Sequence, residues 1–178
     1  MTALPTRRDE AYRYADLKAL APLWPIAVEP IHVAAAECGA LTIIVNGNQP
    51  TARHLAITLD AGATFDMRVL NTGTAYGRIA VNVTLGEGTQ FHLGAAQLGG
   101  GEQTLELVTE VTHVAPNAVS RQVVRSVLGG RATGTYLGKV AVARGEMAPM
   151  PVSRCARCCS IAPQPPTPSP NSKFTPMT

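Results

Sequence analysis

The chain has 178 residues, of which 46% are hydrophobic, 15% charged and 4% aromatic. That length suits one domain with an aliphatic core, and low charge with ample Val, Leu and Ile excludes disorder for most of it. Fifteen basic against 12 acidic residues leave a net charge of only +3, and no basic cluster exceeds the pair Arg7-Arg8, which excludes a nucleic-acid binder with a concentrated basic face.

Membrane and secretory classes are also disfavoured. The opening MTALPTRRDE carries no apolar signal core behind its arginines. Pro22, Pro25, Glu29 and Pro30 break the most apolar early stretch, and no run of about 18 apolar residues exists to span a bilayer. Three of the four cysteines crowd into five positions near the end, unlike a secreted disulfide framework. The expectation is a cytoplasmic protein with reduced thiols.

Residues 1–25 read as an N-terminal helical segment. Thr6 and Asp9 resemble a capping box, with Asp in place of the usual Glu or Gln. Ala11, Tyr14, Leu17 and Leu20 recur at helical spacing, and Pro22 and Pro25 end the pattern. Arg7, Arg8, Asp9 and Glu10 read as a solvated first turn.

Residues 26–145 read as strand after strand. Ile79, Val81, Val83 and Leu85 alternate with Ala80, Asn82 and Thr84. Leu105, Leu107 and Val111 alternate with Glu106, Val108 and Glu110. Val119, Val123 and Val127 mark a third run, with Arg121 and Arg125 on the same face. Asn46-Gly47, Gly86-Glu87-Gly88, Gly99-Gly100-Gly101 and Gly129-Gly130 punctuate the runs, so the architecture is mainly β.

An internal repeat selects among all-β folds. Thr58, Leu59, Gly62 and Phe65 recur, all at one constant offset, as Thr84, Leu85, Gly88 and Phe91. A period in the twenties fits one coil of a solenoid or a hairpin pair of a sandwich, and favours the solenoid. Coils hide their apolar faces only against neighbours, so the N-terminal helix is a candidate cap.

The chain changes character at Gly145. All 16 glycines lie at or before it, and 8 of the 14 prolines lie after it. Residues 147–178 contain no Asp, Glu or Gly. The expectation for residues 146–178 is a disordered, Pro-rich tail. Its Cys155-x-x-Cys158-Cys159 motif has metal-like spacing, but no second ligand pair follows. Isolated Cys38 reads as a small buried hydrophobe.

No pattern describes an enzyme. P-loop, dinucleotide and nucleophile-elbow motifs are absent, and Gly99-Gly100-Gly101 precedes Glu102-Gln103 rather than Lys-Ser or Lys-Thr. His32, His54, His92 and His113 show no ligand spacing, although His92 and His113 could point from successive coils. Glu106 and Glu110 lie about 13 Å apart along a strand, too far for a retaining carboxylate pair, and read as a solvated face. No residue is singled out as catalytic, cofactor-binding or metal-ligating. The rival classes are a carbohydrate-active enzyme on a β-solenoid and a metal-binding module built on the Cys-rich tail.

Two stretches carry a family resemblance. Glu10-Ala11-Tyr12-Arg13-Tyr14-Ala15-Asp16-Leu17 resembles the "E-x-W-R-Y-x-D-L" helix of SufD-type members of the SufB/SufD family, with Tyr12 for the usual Trp. Val124-Arg125-Ser126-Val127-Leu128 and Gly138-Lys139-Val140 resemble the core of that family. The resemblance covers roughly residues 3–145. It implies a right-handed parallel β-helix flanked by helical segments. It also implies a non-catalytic scaffold for iron–sulfur cluster assembly, paired with a SufB-like subunit through the β-helix. A SufC-like ATPase would be recruited through a C-terminal helical region that this chain lacks. No cluster ligand carries over, so the iron–sulfur cluster is the product of the parent complex, not a cofactor of this chain.

The codons of the tail suggest why the resemblance stops. Reading one base toward the 5′ side turns Met147 before Ala148 into Gly, Met150 before Pro151 into Ala, Cys158 before Cys159 into Leu, and Met177 before Thr178 into Asp. With free wobble bases chosen, the tail continues into text resembling the family's "N-T-K-P-E-x-x-I-Y-A-D-D" segment. The expectation is a frameshift near codon 145, which leaves the Cys-rich motif without function.

Overall fold

Nine β-strands alternate between two sheets in a computed structural model that describes residues 3–47, 49–72 and 75–143. They are β1 (Val28–Val33), β2 (Cys38–Val45), β3 (Thr51–Leu59), β4 (Thr64–Thr72), β5 (Tyr76–Leu85), β6 (Gln90–Gly99), β7 (Thr104–His113), β8 (Val119–Leu128) and β9 (Thr133–Val142). Odd strands form a five-stranded sheet and even strands a four-stranded one. Every pairing is parallel. This is a β-solenoid of about 4 turns, each contributing one strand to each sheet. The alternative sandwich is overturned, because hairpin-linked sandwich strands pair antiparallel.

The repeat is the coil. Thr58 lies beside Thr84 and Leu59 beside Leu85, while Phe65 lies beside Phe91. The coil then lengthens: Tyr76 pairs with Thr104 and Gln90 with Val119, each a longer step along the chain than Thr58 to Thr84. One turn of each coil needs a left-handed residue, and Ala36, Gly62, Gly88 and Asn117 all have φ between 60° and 73° there. The turns bond to one another: Ala36 donates to the Ala61 carbonyl at 2.9 Å and Gly62 to the Glu87 carbonyl at 2.7 Å. Glycine adopts that φ without a Cβ clash, and Asn tolerates it better than most residues.

The core fills the space between the sheets. Leu55, Ile57 and Leu59 of β3 and Ile79, Val81, Val83 and Leu85 of β5 meet Phe65, Met67, Phe91 and Leu93 from β4 and β6. The expected alternation in β5 and β7 is therefore the observed one. In β8 the face that Val119, Val123 and Val127 share with Arg121 and Arg125 turns outward. Val119, Val123 and Val127 are exposed, while Val124 packs against the core. Arg121 and Arg125 share the outer face, and their charges keep it in water.

The single N-terminal helix is also corrected. The segment forms a 3-10 turn (Glu10–Tyr12), a one-turn helix α1 (Leu17–Leu20) and a second 3-10 turn (Ala21–Leu23). Asp9 does accept from the Thr6 backbone N–H at 2.8 Å, but the motif closes a turn rather than starting a long helix. The Asp16 carboxylate caps α1, accepting from Lys18 and Ala19 at 3.1 Å each. A cap at Asp16 starts a new helix instead of continuing one. The segment does not close the end of the solenoid. It lies across the outer face of the five-stranded sheet, bonded to β5 and β7, with Lys139 of β9 reaching Glu10. Cys38, expected to be buried, is exposed at the start of β2. The tail with Cys155, Cys158 and Cys159 lies outside the described residues.

Candidate functional site

The densest group of polar side chains sits where the N-terminal segment meets the five-stranded sheet. Tyr76 and Arg78 project outward from β5, and Glu106 from β7, where Arg78 and Glu106 are in register. Strand alternation puts them opposite the aliphatic core side of their own strands. Each of Arg78 and Glu106 is only 1% exposed, because the N-terminal segment covers them.

The Glu106 carboxylate is fully engaged. One oxygen accepts from Arg78 at 2.5 Å and from the Tyr76 hydroxyl at 3.1 Å. The other accepts the backbone N–H of Asp16 at 2.7 Å. Arg78 also donates to the Ala11 carbonyl at 2.8 Å and lies 4.5 Å from the centre of the Tyr12 ring. Tyr12 in turn meets Trp24 edge to face at 6.0 Å. The segment thus gives two backbone groups to sheet side chains, which is why its helical pattern is interrupted. Burial, then the Glu106 charge, pushes the Tyr76 phenol far above its ordinary value. The cavity beside the Arg78–Glu106 pair is only about 10 Å³, while an open groove of about 580 Å³ lies where Tyr14 to Lys18 meet Thr104, Thr133 and Thr135. The buried pair acts as a lock for the segment.

Expecting Glu106 and Glu110 on a solvated face therefore fails for Glu106, which is buried and paired, and holds in part for Glu110. Glu110 lies 3.1 Å from Lys139, and that lysine also reaches Glu10 at 3.1 Å. Arg78 was not singled out from sequence. The signal available was a lone arginine opening a strand of aliphatic residues, where a charge needs a buried partner.

The four histidines are dispersed. His32 bonds Asp60 at 2.9 Å on the surface. His54 lies on the outer side of β3, and burial followed by the Arg78 charge holds its pKa below the usual value. His92 and His113 do not converge: His92 faces out of the four-stranded sheet toward Asp66, while His113 ends β7 and bonds Ser120 at 3.0 Å. The His113–Ser120 contact is a nucleophile–base spacing that sequence reasoning did not find. No further hydrogen bond or ion pair orients the His113 ring among the described residues, and triad chemistry needs that third member. Among the described residues no three His, Cys, Asp or Glu side chains converge to hold a metal ion. No helix there is long and apolar enough to cross a membrane.

Residues 28–146 match the model of the family described as SUF system FeS cluster assembly, SufBD core domain. The chain belongs to this family. The match begins with β1 and runs through every strand of the solenoid. No curated protein and no solved structure matches significantly. The docked segment lies outside the matched residues: there Tyr12 stacks on Arg78, Ala15 is buried, and Asp16 both caps α1 and bonds Glu106.

Proposed function

We propose that the intact gene product is a SufD-type, non-catalytic scaffold subunit. It pairs with a SufB-type subunit through its β-helix and works with a SufC-type ATPase to build iron–sulfur clusters, which are its cargo. The observation that carries this reading is the SufBD core match over residues 28–146, joined to the docked motif at Tyr12 to Leu17. The SufD-type choice within the family rests on that motif.

We further propose that the reading frame shifts near codon 145, so that residues 146–178 are out of frame. The last coil supports this. Tyr136, Val140 and Val142 take the inward positions of β9, yet are 42%, 56% and 62% exposed. In the first coil the inward Ile43 is 1% exposed. Apolar inward side chains left in water call for another coil stacked upon them. With free wobble bases chosen, the restored frame reads as text resembling the next portion of the family core.

The test has two arms. Resequencing the gene across codon 145 decides the frame, and a confirmed frame with no family text downstream would sink the frameshift. Co-expression of the frame-restored chain with SufB- and SufC-type subunits decides the role. A stoichiometric complex is expected. A frame-restored chain that stays monomeric beside both subunits would refute the scaffold reading.

A further inference from the structure

The outer face of the four-stranded sheet carries a second cluster of charged groups that the scaffold reading does not use. Parallel register stacks Asp66, His92 and Arg121 in one row across β4, β6 and β8. The next outward row is Arg68, Gly94 and Val123. Adjacent strands lie about 4.8 Å apart, so each row brings its side chains into contact range. Gly94 stands in the middle of its row, and its missing Cβ lets the Arg68 side chain lie close against the sheet there. The Arg68 guanidinium reaches over it: a Cβ placed on Gly94 would lie 3.0 Å from an Arg68 nitrogen. The resulting open depression has a volume of about 270 Å³.

Its charge balance is one-sided. Arg68 and Arg121 are permanent cations, and His92 adds a donor and, when protonated, a third charge. Among the described residues Asp66 is the only carboxylate that lines the depression. It is loosely engaged, 3.5 Å from Arg68 and 3.6 Å from His92. These distances exceed those of a strong charge-assisted hydrogen bond, so the cations keep donors to offer. Two guanidinium groups and an imidazole facing one small cavity match the geometry of a multiply charged oxyanion, since guanidinium forks bind carboxylate and phosphate edge-on. At this volume the cavity falls below the usual range for drug-sized ligands, which selects a small anion.

We propose that this depression binds a small, multiply charged oxyanion of the phosphate or polycarboxylate class, held by Arg68 where it lies across Gly94, by His92 and by Arg121. Asp66 acts as a weak internal competitor for Arg68 and His92 when the anion is absent. The site is independent of the N-terminal lock, because it lies on the opposite sheet.

The test follows the four histidine rings by NMR in the purified full chain. Inorganic phosphate and citrate are titrated separately, against chloride at matched ionic strength. The expected result is a saturable shift of the His92 ring signals, with His32, His54 and His113 unmoved. The tighter of the two anions identifies the source. Arg121→Gln is expected to weaken binding about fivefold or more, as for loss of one charge-assisted donor pair. Arg131→Gln, an exposed control in another turn, leaves it unchanged. Asp66→Asn is expected to tighten binding, an outcome that a merely structural role for Asp66 would not produce. The proposal is overturned if His92 responds no more to either anion than to chloride. It is equally overturned if Arg121→Gln and Arg131→Gln weaken binding alike, since that would be a diffuse surface effect.

Discussion

Arg78 and Glu106 on the outer face of the five-stranded sheet are almost wholly buried, while Arg68 and Asp66 on the outer face of the four-stranded sheet are 60% and 45% exposed. Both pairs stand on the outer side of parallel sheets and point away from the core. The N-terminal segment makes the difference, since it lies over the first face and leaves the second open. A covered ion pair loses its hydration and must be satisfied by protein groups, whereas an open one is weak and screened. Glu106 is satisfied by three donors, and Arg78 meets two acceptors and a ring while its buried Nε–H has no partner among the described residues. Asp66 has only two long contacts. The buried pair therefore fixes the segment on the sheet, and the open pair stays available to a ligand.

The sharpest way to break this comparison is Glu106→Gln. It leaves Arg78 charged and buried without its partner, and is expected to cost about 3–5 kcal/mol in urea unfolding. Removing residues 3–24 should then abolish most of that penalty, because both side chains regain water. If Glu106→Gln costs as much without the segment as with it, the segment is not what buries the pair.

A pH scan gives an intermediate effect. The Tyr76 phenol has a folded pKa raised above its ordinary value of 10.0, so the unfolded chain releases that proton first. Its contribution to stability is fully present below about pH 10 and declines as pH rises beyond it. Tyr76→Phe should flatten the alkaline limb of the stability curve relative to the parent. An unchanged alkaline limb in Tyr76→Phe would show that the phenol is not buried as described.

The smallest effect belongs to the open face. Asp66→Asn should change stability by less than about 1 kcal/mol, as for other exposed pairs. Thermal melts of Asp66→Asn and Glu106→Gln side by side therefore rank the two faces directly. A comparable loss in both would remove the distinction between them.

The constant offset from Thr58 to Thr84 and from Phe65 to Phe91, and the alternation in β5 and β7, were legible in sequence, since stacking equivalent coils imposes the same residue at the same place in each turn. Gly62 and Gly88 announced the turn that both coils share. The tail that composition sets apart lies outside the described residues, and a short motif around Tyr12 to Leu17 pointed to the SufB/SufD family. Other features depended on contacts between distant residues. Which face of β8 turns inward was not readable, because valines and arginines share one parity there and only the coil beneath selects Val124. The broken N-terminal helix was not readable either, because its local pattern is helical and the competing partners, Arg78 and Glu106, lie 67 and 90 residues away. The oxyanion depression has the same origin: Asp66, His92 and Arg121 are brought into one row by parallel register. Local periodicity specifies a strand and its coil, but a charge is buried or left open only by what the rest of the chain places over it.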